Sequence, residues 1–251
     1  MLHHRSNQFA APSMRLAARH TGCRASRQTA PVTSARQQML VHVPPHPLIK
    51  HWLAVARSKD NPPAVFRSAI AELGRILIYE AIRDWVKTVD IPVETPVGKA
   101  DATIIDPASP VKLIPVMRAG MVLLDQASST LPMSETYHVG LERDERTLRA
   151  RWYLNKMPRK FKADDRILIL DPMLATGGTM ETVIEEVLNR GGSESFTKVI
   201  SIVAAPDALR RLSPNYPGLN VYAAMIDSEL DRQGFIVPGL GDAGDRAFGS
   251  H

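Results

Sequence analysis

Apolar and polar positions alternate in two different periods along most of the chain. Short apolar runs predict strands at 112–117, 136–141, 166–171, 199–205 and 219–225. Between and before them, residues spaced to give one apolar face predict helices at 63–87, 120–131, 179–190 and 206–213. Strands that alternate with helices form parallel sheets covered on both faces, so the predicted fold class is α/β.

The first 40 residues differ from the rest in composition. They are rich in Arg, Ser, Thr and Ala, contain no acid, and have no long apolar core of the kind a secretory signal needs. This composition predicts an organelle transit peptide, and the alternative is a disordered basic tail. We therefore expect a disordered transit peptide at 1–40 and a folded domain at 41–251.

The basic charge of the chain is confined to its beginning. Residues 1–50 carry six Arg, one Lys and no Asp or Glu, whereas the whole chain has 31 basic and 26 acidic residues. Residues 51–251 therefore hold 31 − 7 = 24 basic and 26 acidic side chains, a net charge of −2. A nucleic-acid binder usually carries its basic excess on the folded domain, so we expect no nucleic-acid partner.

Simple counts argue against a membrane-spanning protein and against one held together by disulfides or cysteine-bound metal. No apolar run approaches the roughly 18 residues that a membrane helix needs, so no membrane partner is expected. The single cysteine, Cys23, lies in the basic segment, which excludes a disulfide within the chain and a cysteine-based metal site.

The segment from residue 167 to 180 predicts a phosphate-binding loop. An apolar strand ends on Asp171, and Thr176-Gly177-Gly178-Thr179 then leads into a helix. The glycines let backbone N–H groups approach a phosphate, and the helix start adds its positive dipole end. Asp171 suits ribose hydroxyls, so the pattern indicates a ribose 5-phosphate. Neither a Walker loop nor a dinucleotide fingerprint is present, and the alternative is a tight turn without a ligand.

The same residues resemble a known family. The run DPMLATGG at 171–178 is similar to the diphosphoribosyl-binding loop of type I phosphoribosyltransferases, in the uracil phosphoribosyltransferase branch where proline follows the acid. The run GFIVPGLGDAGDRAFG at 234–249 resembles that family's C-terminal signature. Further similar segments are IYEA at 78–81, PVMRAG at 115–120, GLERDE at 140–145 and YLNK at 153–156, the last as in plant-type members.

The resemblance implies a fold and a reaction. The fold would have a central, mainly parallel sheet flanked by helices, with a small hood formed by N- and C-terminal segments. The reaction would join uracil to 5-phosphoribosyl 1-diphosphate, giving UMP and diphosphate in pyrimidine salvage, with Mg²⁺ as cofactor. The resemblance also implies a homo-oligomer, a dimer or larger, and extends to a GTP effector, for which the sequence offers no separate support.

The resemblance also assigns site residues. The catalytic residues would be Arg118 and Asp242. The phosphoribosyl diphosphate would be bound by Arg118, Arg143, Asp171, Pro172, Met173, Leu174, Ala175, Thr176, Gly177, Gly178, Thr179 and Asp242. Uracil would be bound by Ile236, Gly241, Asp242 and Ala243. No direct protein ligand for Mg²⁺ is assigned beyond a place for Asp242 in the ion's surroundings.

The charged loop from Arg143 to Tyr153 predicts either a lid over the site or a solvated surface hairpin. Arg149 and Arg151 add positive charge where many family members are acidic or apolar. Their effect on lid closure is open.

Other functions remain open at this point. A nucleotide-sensing or RNA-binding regulator could use the same fold, and a transferase for a purine base is a closer rival. Any uridine kinase would be a separate partner, because the chain has no Walker loop. The basic segment and the YLNK run favour a plastid location over a mitochondrion or the cytosol.

Overall fold

The computed structural model describes residues 38–143 and 150–250. Its helices are α1 (Pro47–Arg57), α2 (Pro63–Ile82), α3 (Met121–Thr130), α4 (Gly178–Asn189), α5 (Pro206–Leu212) and α6 (Ala243–Phe248), with a 3-10 turn at Glu194–Phe196. Its strands are β1 (Leu40–His42), β2 (Thr88–Thr95), β3 (Gly98–Ile105), β4 (Val111–Met117), β5 (Ser134–Thr136), β6 (Val139–Arg143), β7 (Ala150–Asn155), β8 (Ile167–Leu170), β9 (Met173–Leu174), β10 (Thr197–Ala204), β11 (Asn220–Ile226), β12 (Glu229–Leu230) and β13 (Ile236–Val237).

A mainly parallel sheet forms the centre of the fold and confirms the predicted class. The strand order is β1-β11-β10-β8-β4-β6-β7, with β5 added to β4 and β9 added to β10. Every neighbouring pair along this order is parallel except β6–β7. The ends of β4 and β8 therefore lie side by side at the carboxyl edge of the sheet, where α/β proteins bind ligands.

Helices cover both faces of the sheet. One buried cluster joins α1, α2 and α3 to the sheet through residues such as Phe66, Leu73 and Leu123. The other joins α4 and α5 through residues such as Val183 and Leu212. All four residues of β8 are buried, as expected for a strand that is covered on both sides.

Two predicted elements differ in their ends. The first predicted helix stops at Ile82 rather than near residue 87, and a turn in which Trp85 N–H donates to the Ile82 carbonyl still buries Trp85. The apolar spacing therefore continued beyond the helix. The strand predicted at 136–141 is divided into β5 and β6, which pair with β4 in one register, Val111 with Ser134 and Val116 with Val139.

Several short elements were not predicted. They include β1, α1, β9, α6, the small β12–β13 ribbon and the β2–β3 hairpin. Arg246 near the C-terminus donates to the carbonyls of Ala56, in the last turn of α1, and of Ser58, just after it, so N- and C-terminal segments join in the expected hood.

Residues 1–37 of the predicted transit peptide lie outside the described residues. Leu40, its last residue, starts β1 and pairs with Asn220 of β11.

Within residues 38–143 and 150–250, the structure has no helix that is both long and apolar enough to cross a membrane.

Candidate active site

The predicted phosphate loop, residues 171–179, lies at the carboxyl edge of the sheet, between β8 and the first turn of α4. Gly177 has a positive φ of 79° and precedes the first residue of α4. A Cβ there would lie 3.1 Å from the Ala208 Cα, so a larger residue would be both strained and crowded. The first N–H groups of α4 have no partner within the helix, and the Thr176 and Thr179 hydroxyls make no hydrogen bond to the described residues. These donors suit a phosphate.

Asp171 follows β8 directly and is half-buried. Its Oδ1 accepts a hydrogen bond from Met173 N–H at 3.3 Å. Burial raises the pKa of Asp171 to about 7, and the hydrogen bond from Met173 only partly opposes this rise. The carboxyl therefore changes charge near neutral pH, and hydroxyl donors of a bound ribose would favour its ionised form.

A tight turn after β4 sets Arg118 beside this loop. A Cβ on Gly120 would lie 2.3 Å from the Leu170 carbonyl oxygen and 2.6 Å from the Val116 carbonyl oxygen. Only glycine fits, because both atoms belong to backbone. The turn therefore presses against the end of β8, one residue before Asp171.

The Arg118 guanidinium reaches across to the C-terminal segment. It donates to Asp245 Oδ1 and to Ser250 Oγ, each at 2.8 Å, and the Ser250 hydroxyl in turn donates to Asp245. The side chain keeps 53 % of its surface exposed. Arg118 is thus held in place while its remaining donors face solvent, where an anionic ligand can replace water.

Asp242 lies close to Arg118 without pairing with it. It caps α6 by accepting the Asp245 N–H at 2.9 Å and is otherwise exposed. A Cβ built on Gly244 would lie 3.2 Å from Asp242 Oδ1 and 3.8 Å from a terminal nitrogen of Arg118. The two predicted catalytic residues therefore flank the same glycine.

The predicted uracil residues lie on the same side. Ile236 and Ala243 are buried in the cluster against which Met173 and Ala175 of the phosphate loop pack. Gly241 is exposed and has a positive φ of 70°. The loop, the Arg118 turn and the hood thus meet at one edge of the sheet.

Part of the predicted lid can be located. β6 and β7 form antiparallel arms of a hairpin, and Arg151 is exposed on β7. The Arg143 side chain and residues 144–149, which include Arg149, lie outside the described structure. The assignment of Arg143 to the diphosphate, and closure of the lid, stay predictions.

The sequence interpretation missed two residues around the site. Asp245, for which no site role was predicted, pairs with Arg118. Arg211 of α5 binds Glu181 at 2.6 Å, and its Nη1 lies 3.6 Å from the position of a Cβ on Gly178. Nothing local in the sequence marks Arg211, since its place depends on the packing of α5 beside α4.

The oxygen ligands near the site fit a magnesium ion carried by a substrate. The described residues hold no cluster of three or more His, Cys, Asp or Glu that could bind a metal alone. Mg²⁺ commonly uses one or two carboxylates with phosphate oxygens and water. Asp171 and Asp242 present carboxylates here, and Asp242 has no further partner among the described residues for its second oxygen.

Comparisons with known proteins agree on one family. A family model described as uracil phosphoribosyltransferase matches residues 43–250. A uracil phosphoribosyltransferase of Nostoc is 54% identical over 213 residues, which cover 85% of this chain and 99% of that protein. A chloroplastic uracil phosphoribosyltransferase of Arabidopsis thaliana is 51% identical, over 85% of this chain and 72% of its own.

A solved structure shares the fold. The AQ2163 protein from Aquifex aeolicus superposes with a TM-score of 0.75 at 32% identity, over 83% of this chain and 98% of that one. The fold, the loop and the relatives' sequences agree, and the chain belongs to the uracil phosphoribosyltransferase family.

Proposed function

We propose that this chain transfers the phosphoribosyl group of 5-phosphoribosyl 1-diphosphate to N1 of uracil, forming UMP in pyrimidine salvage. One observation carries the proposal. The phosphate loop after β8, Arg118 after β4 and the 242–245 segment of the hood meet at one sheet edge in a chain of this family. Each of the three would bind a different part of the substrates.

The donor would bind between the loop and Arg118. Its 5-phosphate oxygens would accept hydrogen bonds from the first N–H groups of α4 and from the hydroxyls of Thr176 and Thr179. Asp171 would accept the ribose hydroxyls, and Arg118, together with Arg143, would bind the diphosphate. Arginine suits this role because it stays charged and can bond two oxygens at once.

The chemistry needs positioning and charge stabilisation more than a covalent intermediate. The bond from ribose C1 to diphosphate breaks, a bond from C1 to uracil N1 forms, and the N1 proton is released. Negative charge develops on the leaving diphosphate, where fixed donors such as Arg118 lower the barrier. When bound, Mg²⁺ would neutralise part of the same charge, with Asp171 and Asp242 as the carboxylates near it.

The hood would select the base. Ile236 and Ala243 offer apolar surface, and the chain around Gly241 offers backbone N–H and C=O groups. Uracil presents a donor at N3 and an acceptor at O4, whereas cytosine presents the reverse. Backbone groups cannot exchange donor for acceptor, and a buried unpaired group is costly, so such a pocket rejects the wrong base.

The test is UMP formation by protein lacking residues 1–37, with Mg²⁺ and the donor, from uracil, cytosine or hypoxanthine. We expect turnover of uracil alone, and a loss of about 100-fold or more in Asp242→Asn. Asp106→Asn is the matched control, because Asp106 also accepts one backbone N–H at 2.9 Å but lies beside the β2–β3 hairpin. Turnover of hypoxanthine would favour the purine rival. Tight UMP binding without turnover would favour a regulator.

The raised pKa of Asp171 predicts a pH dependence of donor binding. In the free protein this pKa is about 7 rather than 3.8, so the carboxyl is mostly protonated at about pH 6 and mostly ionised at about pH 8. Because ribose hydroxyls would favour the ionised form, affinity should rise about tenfold between these pH values. The same shift makes the ligand-free fold lose stability as pH rises from 3.8 towards 7, since the folded state binds the extra proton.

Calorimetric titration with the donor at both pH values measures this effect. Asp171→Asn is the control, because ionisation of the donor's own phosphates acts equally on both proteins. The difference between the two proteins in how strongly donor affinity changes with pH is then the contribution of Asp171. Equal changes in both proteins would show that this carboxyl does not respond to the ribose.

A homo-oligomer is the assembly that the β2–β3 hairpin favours. Within the described residues its two strands pair only with each other, and most of its side chains are exposed. An isolated two-stranded hairpin is marginally stable, and its strand edges have unpaired backbone groups. A second copy of this chain could pack against the hairpin and bury these edges. Sedimentation should give a dimer or a larger assembly, and a monomer at all concentrations would contradict this. Added GTP, in the same runs and in the activity assay, tests the effector.

A plastid location is the one that the composition of residues 1–40 and the name of the Arabidopsis relative support. A fluorescent fusion of residues 1–40 should enter plastids in plant cells. Mitochondrial or cytosolic signal would favour one of the alternatives.

A further inference from the structure

We infer that Arg57 and Asp227 form a base-positioning clamp, a pair that fixes the turn between Ile236 and Gly241 and thereby sets affinity for the pyrimidine ring. Neither residue touches substrate in this account, so both are positioning residues. The inference rests on the proposed function, because it assumes that the hood holds the base.

The clamp is a buried, two-point ion pair. Arg57 is the last residue of α1, and Asp227 follows β11 directly. The two terminal nitrogens of Arg57 donate to the two carboxylate oxygens of Asp227, at 2.6 and 3.0 Å. The Asp227 side chain is only 3% exposed. Such a planar, two-bond pairing fixes relative orientation as well as distance.

Both partners bind the same residue of the hood. Asp227 Oδ2 accepts the Gly239 N–H at 2.8 Å, and Arg57 Nη1 donates to the Gly239 carbonyl at 2.9 Å. The whole backbone polar set of Gly239 is therefore satisfied by the clamp. Any loosening of the pair would release this residue from both sides.

Gly239 lies where the backbone of the turn approaches itself closely. Its φ is 59°, and a Cβ on it would lie 1.9 Å from the Ile236 carbonyl oxygen. Ile236 precedes this turn and Gly241 follows it, so their relative placement depends on how tightly Gly239 is held. Since a shift of about 1 Å in a bound group can cost about 100-fold in rate, the clamp is placed to control the base.

Other contacts keep the hood attached when the clamp is weakened. Arg246 donates to the carbonyls of Ala56 and Leu240 and lies 4.1 Å above the Phe66 ring. A buried ion pair is itself weak evidence for stability, because desolvation offsets the attraction. Within residues 38–143 and 150–250 the clamp makes no hydrogen bond to the Asp171 loop, so its loss should separate base binding from donor binding.

The variants are Arg57→Lys and Asp227→Asn. Lysine keeps the charge but cannot make the two-point pairing, and asparagine keeps the shape while losing the charge. The matched control is Arg190→Lys. Arg190 is also 23% exposed, pairs with Glu186 and donates to the Met157 and Pro158 carbonyls, so its partners lie in α4 and after β7 rather than in the hood. All three changes should cost similar thermal stability.

Binding of UMP and of ribose 5-phosphate gives the decisive comparison, with KM values as a second readout. In Arg57→Lys and Asp227→Asn we expect UMP affinity to fall about tenfold and KM for uracil to rise by about the same factor. Ribose 5-phosphate affinity and KM for the donor should change by less than about twofold. Arg190→Lys should leave all four values unchanged.

The outcomes separate the two levels of the proposal. Equal loss of both ligands in the clamp variants, or the same losses in Arg190→Lys, would overturn the clamp and leave the proposed function standing. If the wild type binds UMP no more tightly than ribose 5-phosphate, the hood does not hold the base. That result would overturn the uracil pocket and the clamp together.

Discussion

Arg118→Met should lower kcat/KM for UMP formation by about two to three orders of magnitude, the range found when one preorganised donor to developing charge is lost. Arg118 is fixed by the turn at Gly120 and by its bonds to Asp245 and Ser250, and its other donors face solvent. Methionine fills similar volume without charge. The diphosphate would then leave without its guanidinium partner, so kcat should fall more than donor binding.

Two companion variants sharpen this prediction. Arg118→Lys should recover only part of the loss, because an ammonium cannot bond two oxygens in one plane. Arg75→Met is the matched control, since the Arg75 side chain is 57% exposed against 53% for Arg118 and pairs with Glu72 on the surface of α2. A full rescue by lysine, or an equal loss in Arg75→Met, would contradict the role assigned to Arg118.

Gly120→Ala should strongly disturb the fold around the site. The new Cβ would lie 2.3, 2.6 and 2.7 Å from backbone atoms of Leu170 and Val116, none of which can rotate away. Crowding of this kind costs about 3 kcal/mol or more, which corresponds to a fall of about 6 to 12 °C in Tm. The Arg118 turn would move off β8, so activity should fall as well.

Gly98→Ala is the control for this change. Nothing lies within 4 Å of a Cβ at Gly98, which starts β3 in the exposed hairpin. Thermal unfolding of both variants, followed by calorimetry, should separate them clearly. A Gly120→Ala protein with unchanged Tm and activity would show that the turn tolerates displacement.

The strand and helix that flank the predicted phosphate loop could be predicted because their signals are local. An apolar run, an acid, two glycines and a helical spacing all lie between residues 167 and 190, and β8 and α4 are found there. Helix α2 was predicted from its start, but its end was not, because Trp85 keeps the apolar spacing while sitting in a turn. The apolar spacing indicates which side chains are buried, and here the buried positions continue beyond the last residue of the helix.

The parts that were missed depend on contacts between distant segments. Arg57 and Gly239 are 182 residues apart, and Arg118 and Asp245 are 127 apart. No pattern within a short window can pair such residues. The resemblance to a family gave the identities of Arg118 and Asp242, yet it did not indicate that Asp245 is the partner of Arg118. The β2–β3 hairpin was missed although residues 88–95 alternate apolar and polar positions in the period of a strand, with Val89, Ile91 and Val93 on the less exposed side.

The most direct test of the account is a crystal structure of the protein bound to UMP. We expect the phosphate on the N–H groups of residues 176–179, the ribose hydroxyls at Asp171, and the pyrimidine ring beneath the hood against Ile236 and Ala243. Density for UMP at any other edge of the sheet, or a base turned away from the hood into solvent, would contradict the central claim.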